Sequence, residues 1–272
     1  LEQTGRSLDD VYSAGGWSTL RASADQVPAL TQEEVKFSKR IGLVTHLDDP
    51  ERVEQLRHLA TTDRGLLMLG YQLFHELNDC FHPRGWLDRL TPALREEISQ
   101  LADVLAGRAH PRQPPAIHGG WPIALHRSYQ RREILTAVGH WNEQRKPSFR
   151  EGVLRLDNKQ TELFFVTLDK SESRFSPTTR YEDYAISPTL FHWQTQSTTS
   201  ETSPTGRRYI EQAQNGWGFY LFVRPDVHAP YVALGSCHYV THTGNRPMSI
   251  TWRLDHPIPG ALFEQYATLL AA

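Results

Sequence analysis

At 272 residues, with 39 % apolar and 10 % aromatic side chains, the chain can bury a sizeable core, which excludes a disordered polypeptide. Its 29 basic against 31 acidic residues leave a formal net charge of −2, so no global basic field advertises a nucleic-acid partner. Two cysteines without paired spacing, Cys80 and Cys237, argue against a disulfide framework or a zinc ribbon, and no apolar window is long enough for a membrane span.

The first half reads as helical. The chain begins at Leu1 with a polar run. Thr31 to Glu34 spell a capping box, in which hydroxyl and carboxylate satisfy free amides at a helix start. Asp49-Pro50 sets an N-cap before a proline at the first helical position, ahead of Val53, Leu56 and Leu59. From Asp63 the run DRGLLMLGYQLFHEL is apolar nearly all round, the pattern of a buried helix. Thr91-Pro92 opens another, with Leu94, Ile98, Leu101 and Leu105 on one face and Gly107 as its stop. The Pro- and Gly-rich segment 110–122 reads as a linker. A last helix in this part, within SYQRREILTAVG (128–139), buries Ile134, Leu135 and Val138 and exposes Arg131 and Arg132.

After it the hydrophobic period changes. ELFFVTLDK (162–170), GFYLFVR (218–224) and YVALGSCHYV (231–240) are near-continuous apolar runs suited to strands buried on both faces. MSITWRLD (248–255) alternates, with Met248, Ile250, Trp252 and Leu254 on one face. Ser203-Pro204 begins a short helix ending near Gly216, and a terminal helix is expected over 260–271. The expected fold is α+β: a helical subdomain over 17–125 and a β-rich subdomain over 126–272. Charge tilts the same way, with net −4 over residues 1–125 (13 basic, 17 acidic) and +2 over 126–272 (16 basic, 14 acidic).

Common catalytic signatures are missing. There is no GxxxxGK[ST], HExxH or GxSxG motif, and His46, His75 and His82 near Cys80 lack metal-site spacing. Asp157, Glu162, Asp169, Lys170 and Glu172 raise a metal-dependent nuclease as the least favoured reading. Asp169 and Lys170 are adjacent, and strand neighbours point to opposite faces, so solvated charges at strand ends explain them better. No catalytic residue, metal or cofactor is expected.

The stretch LFHWQTQSTTSETSPTGRRYI (190–210) stands out, because hydroxyl- and amide-rich loops of that length are uncommon unless functional or disordered. Phe191 and Trp193 share one face of a strand; His192 and Gln194 take the other. Aromatic planes stack on bases, and Gln194 and Gln196 can read base edges. The hydroxyls of Thr198 and Thr199 suit phosphates, as do Arg207 and Arg208 in the first turn of the following helix. The plain alternative is a core tryptophan, a solvated loop and a capped helix, and composition alone favours it.

Several phrases carry a resemblance: RIGLVTHLDDPERV, LHRSYQRREILTAVG, the segment from VTLDKSESRF to TGRRYI, LFVRPD, PYVALGSCHYV and RPMSITWRLDHPIP. Over residues 17–265 the chain resembles a bacterial domain of uncharacterised function at the C-terminus of superfamily 2 (DEAD/DEAH-type) helicases, often with a phospholipase-D-like nuclease domain. Residues 1–16 would then be the tail of a linker leaving the helicase. The C-terminal half also resembles the SRA/PUA-like pseudo-barrels that read modified bases for restriction endonucleases. Phe191 and Trp193 occupy the aromatic positions and Gly206 and Ile210 the helix phrase, while Arg207 stands where Asn is usual.

The resemblance implies a cytoplasmic accessory module that supplies target recognition to a helicase-nuclease in restriction or anti-phage defence. Its partners would be double-stranded DNA, unmodified or modified, and a helicase domain of the same parent chain. Arg180, Arg207, Arg208, Lys170, Arg131 and Arg132 are expected to grip phosphates. Trp193 would stack on a base beside Phe191, His192, Tyr181 and Asp183, with Gln194 and Gln196 reading its edge. The alternative is a docking or scaffold domain that touches no base.

Overall fold

The computed structural model describes residues 7–58, 63–74, 90–109, 114–142, 144–169 and 183–271. Two compact units emerge: residues 1–113 with 128–147, and residues 114–127 with 148–272. The chain therefore crosses between units more than once, instead of breaking singly after residue 125.

The first unit holds α1 (Leu8–Ser13), α2 (Trp17–Ser23), α3 (Gln32–Ile41), α4 (Pro50–His58), α5 (Asp63–Phe74), α6 (Pro92–Ala106), the two-residue strand β1 (Ser128–Tyr129) and α7 (Arg131–Ala137). The capping box of α3 forms as its sequence dictates: the Glu34 amide donates to Thr31 Oγ1 at 3.3 Å and the Thr31 amide to Glu34 Oε2 at 2.7 Å. Phe37 and Ile41 on α3, Val53 and Leu56 on α4, and Leu94, Ile98, Leu101 and Leu105 on α6 share one core. Leu8 and Tyr12 join it, and Ser7 and Asp10 cap α1 reciprocally. The expected linker over residues 1–16 is thus corrected from Ser7 onward: this segment contains a capped helix whose apolar face is buried.

Two buried carboxylates organise this unit. Gly16 precedes α2 at φ +96° and offers no side-chain cap. Glu97 on α6 replaces it, accepting from the Trp17 and Ser18 amides at 2.9 and 3.0 Å and from the Ser38 hydroxyl at 2.9 Å. A Cβ at Gly16 would lie 2.1 Å from Ser38 Oγ and 2.6 Å from its backbone, so only glycine permits this approach. Glu133 on α7 pairs with Arg52 and with His46 Nε2 at 2.6 Å, and accepts the Gln130 amide at 2.7 Å.

The second unit contains β2 (Val153–Leu156), β3 (Thr161–Thr167), β4 (Tyr184–Ser187), β5 (Leu190–Gln194), α8 (Pro204–Ile210), α9 (Gln212–Asn215), β6 (Gly218–Arg224), β7 (Tyr231–Thr243), β8 (Ser249–Leu254) and α10 (Gly260–Ala271). Its strands run in the order β2-β3-β6-β7-β8-β5-β4. The β3–β6 pair is parallel, and the other neighbours along this path are antiparallel. β8 alternates as its sequence predicts: Met248, Ile250, Trp252 and Leu254 are buried and Arg253 is exposed. β3 is buried along its whole length.

The sheet curls. β3 and β5 stand four strand steps apart, which in a flat sheet would separate them by roughly 19 Å. Yet Phe164 on β3 and Trp193 on β5 stack with ring centroids 4.4 Å apart. Their side chains meet inside a concave face filled by Phe191, Tyr209, Phe219, Ile250 and Trp252. No ladder joins the end strands β2 and β4 among the described residues.

Candidate functional site

The loop between β5 and α8 folds back onto the open end of this concave face. Thr195 is locked to the β8 side twice, its amide donating to Met248 O and its Oγ1 accepting from the Met248 amide, both at 2.9 Å. Ser203 caps α8, its Oγ accepting the Gly206 amide at 3.1 Å and donating to Ser200 O at 2.6 Å. Between these anchors the chain borders a cavity of about 300 Å³. Its wall is Glu151, Val153, Arg155, Glu162, Trp193, Gln196, Thr198, Thr199, Ser203, Thr205, Arg208 and Tyr209.

Glu162 is the floor. It is 1 % exposed, in a strand whose other side chains are mostly apolar. The Arg208 Nε donates to its Oε1 at 2.6 Å and the Tyr209 hydroxyl to its Oε2 at 2.9 Å, so both oxygens are engaged. Burial raises the Glu162 carboxyl above its ordinary range, against the pull of Arg208, Tyr209 and Arg155. Burial together with Glu162 raises the Tyr209 phenol, which stays protonated as a donor. Arg155 stands directly across the β2–β3 ladder from Glu162. Its guanidinium lies 5.4 Å from the Trp217 ring centroid and that of Arg208 lies 4.9 Å from it.

The residues singled out from sequence fall into distinct places. Gln196, Thr198 and Thr199 line the cavity, and their side chains make no hydrogen bond among the described residues. Arg208 lines it too, held by Glu162. The stacking role expected of Trp193 and Phe191 is corrected. Trp193 is 5 % exposed and lies face-on to Phe164, and Phe191 is fully enclosed. Both belong to the core because odd-numbered positions of β5 point inward, and Trp193 contributes to the cavity wall without offering a free face. His192 and Gln194 point to the opposite face of the sheet. His192 stacks on Tyr184 at 4.6 Å, and Gln194 donates from Nε2 to Ser249 Oγ at 3.3 Å. Asp183 is buried and accepts the Gln194 amide at 2.8 Å, a structural task. Arg207 is exposed on α8 and does not line the cavity. Arg131 and Arg132 are half-buried on α7 of the other unit. Lys170, Arg180 and Tyr181 lie outside the described residues, as do His75, Cys80, His82 and Glu172.

Among the described residues, two of the acids that raised nuclease chemistry, Asp157 and Asp169, lie apart. Asp157 pairs with Arg155 before β3 begins, and Asp169 follows its far end, a strand length of roughly 23 Å away. No group of three His, Cys, Asp or Glu side chains fit to hold a metal occurs among the described residues. No helix among them is long and apolar enough to cross a membrane.

Sequence reading missed Tyr209, Arg155 and the role of Glu162. The signal was present for Glu162: its parity along β3 places it on the core face with Phe164 and Val166. A carboxylate there needs a buried donor, and RRY at 207–209 supplies two.

Residues 123–266, more than half of the chain, match the family model described as Domain of unknown function (DUF3427). No curated protein matches the chain.

Proposed function

The chain belongs to the DUF3427 family, whose description assigns no activity, and we propose that its sheet unit is a DNA-recognition module that takes an extruded base into the Glu162–Arg208 cavity. One observation carries this reading. Eight of the twelve cavity-lining residues come from the 193–209 stretch, and three of them, Gln196, Thr198 and Thr199, present hydrogen-bonding groups with no partner among the described residues. Unspent polar groups in a concave site are the means by which a base edge is told from its analogues.

In this reading the protein's parts divide the work. The Glu162–Arg208–Tyr209 cluster makes a rigid polar floor, since each member is locked by the next. Gln196 and the two threonines adapt to the base edge. Arg207, exposed on α8, meets the phosphate backbone and positions the duplex. The curl of the sheet favours kinship with the pseudo-barrels of modified-base readers. The resemblance to helicase-terminal domains makes a motor in the same parent chain the partner, with restriction or defence as the setting.

Fluorescence anisotropy of the protein against matched duplexes, unmodified and carrying methyl- or hydroxymethyl-cytosine, at two salt concentrations tests this. Phosphate contacts predict affinity that falls steeply with salt, and the cavity predicts that Gln196→Ala or Thr199→Val weakens preference among duplexes more than it weakens overall binding. Flat, weak signals throughout would leave a protein-docking domain as the better reading.

A further inference from the structure

The recognition loop is held from outside the cavity. Asn245, at the turn between β7 and β8, accepts the Glu201 amide on its Oδ1 at 2.9 Å. His242, near the end of β7, meets the Glu201 carboxylate with Nε2 at 3.2 Å, and its Nδ1 faces the Tyr239 hydroxyl at 2.6 Å. Neither Asn245 nor His242 lines the cavity. Glu201 lies inside the loop, six residues after Thr195, which pairs with Met248, and two before the Ser203 cap. The hairpin thus adds two holds on the loop near its α8 end.

Resting on the reading of the cavity as a base site, we propose that Asn245 and His242 are positioning residues: through Glu201 they fix the 196–203 segment in the geometry that receives the base. A loop of this length, held only by its end anchors and its own Thr199–Gln196 and Ser200–Ser203 turns, would sample more conformations, and binding would have to order it each time. Two ties at Glu201 meet that ordering cost during folding. The side chains that touch the ligand, Gln196, Thr198 and Thr199, then need no hydrogen bond of their own to be in place, which agrees with their having none among the described residues. The clamp is also exposed enough to be altered without opening the core. Glu201 and Asn245 are both exposed, whereas the packed aromatic cluster lies on the inner face of the sheet.

The test uses four proteins: wild type, Asn245→Ala, His242→Ala and His242→Gln, the last keeping a side-chain N–H for Glu201. Hydrogen exchange over 196–203 is read without DNA, and duplex affinity is read at fixed salt. The clamp predicts faster exchange in this segment for both alanine variants, with exchange in β6 and β8 unchanged. Affinity falls about three- to tenfold, the range one hydrogen bond supplies, and His242→Gln recovers most of the His242→Ala loss. Unchanged exchange in Asn245→Ala would overturn the clamp. Faster exchange with unaltered affinity would overturn its positioning role. A wild-type protein that binds no duplex would sink the base-site reading itself, and the positioning role with it, even where the exchange results show the tie to be real.

Discussion

Trp193 lies on Phe164 with ring centroids 4.4 Å apart and planes 18° from parallel, joining two strands that the sheet order places four steps apart. This contact closes the concave face, and it uses the indole face that a stacked base would need. Trp193→Ala is therefore a core deletion. It is expected to cost about 3–5 kcal/mol in denaturant unfolding. Gln196→Ala, at the exposed cavity wall, is expected to stay within about 0.5 kcal/mol of wild type. Equal unfolding midpoints for the two variants would show that Trp193 is not part of the core.

The two neighbouring arginines of α8 are expected to behave oppositely. Arg207 is exposed, so Arg207→Ala should leave stability unchanged while reducing the salt slope of duplex binding by about one. Arg208 is the cation on buried Glu162, so Arg208→Ala strands a carboxylate and should destabilise by about 3–5 kcal/mol. Thermal melts and salt titrations of both variants separate the roles.

Gly206 is expected to resist the most conservative substitution. Ala is normally favoured over Gly inside a helix by up to about 1 kcal/mol. Here a Cβ would sit 2.0 Å from Ser200 O and 3.1 Å from Met248 Sδ. Backbone must move to admit it, so Gly206→Ala should destabilise by about 1–3 kcal/mol and displace the loop that borders the cavity. A variant as stable as wild type in urea would mean the helix and loop are not this close.

Acid should weaken the helical unit through Glu133. Burial alone would raise this carboxyl, but Arg52, His46 and the Gln130 amide overcome it and lower it from 4.5 to about 2. A carboxyl lowered by folding contributes stability that is complete above its ordinary value and is lost as pH falls towards the folded one. Glu133→Gln should cost about 3–5 kcal/mol at neutral pH, because it leaves Arg52 buried without its charge partner. The gap between wild type and variant should narrow from pH 5 to pH 2. Glu162 runs the other way: its raised carboxyl contributes stability below its ordinary value, lost as pH rises through the folded one. A gap that stays constant across that range would contradict the Glu133 assignment.

Local chemistry made much of the fold legible. Thr31 and Glu34, Asp49-Pro50 and Thr91-Pro92 mark helix starts that form where the sequence puts them. The alternation of 248–254 gives β8 its inner face, because both signals depend only on near neighbours. What resisted was everything set by distant partners. Helix α1 has few residues and reads as polar linker until the core that accepts Leu8 and Tyr12 is known. The exposed look of Trp193 came from its hydroxyl-rich neighbourhood, but Phe164, far away in sequence, decides its place. At the candidate site the loop itself was legible, whereas its floor was not: Glu162 and Arg208 are 46 positions apart, and their meeting depends on the strand order.

The most direct measurement places 2-aminopurine in a duplex and follows its fluorescence on adding the wild-type protein and a Thr198→Trp variant. Thr198 is exposed at the cavity wall, so the larger side chain fills the cavity without entering the core. Extrusion of the base into the cavity predicts a large rise with wild type, since the probe brightens when it leaves the stack, and little or none with the variant. Tight duplex binding with no rise, or an equal rise with Thr198→Trp, would contradict a base site in this cavity.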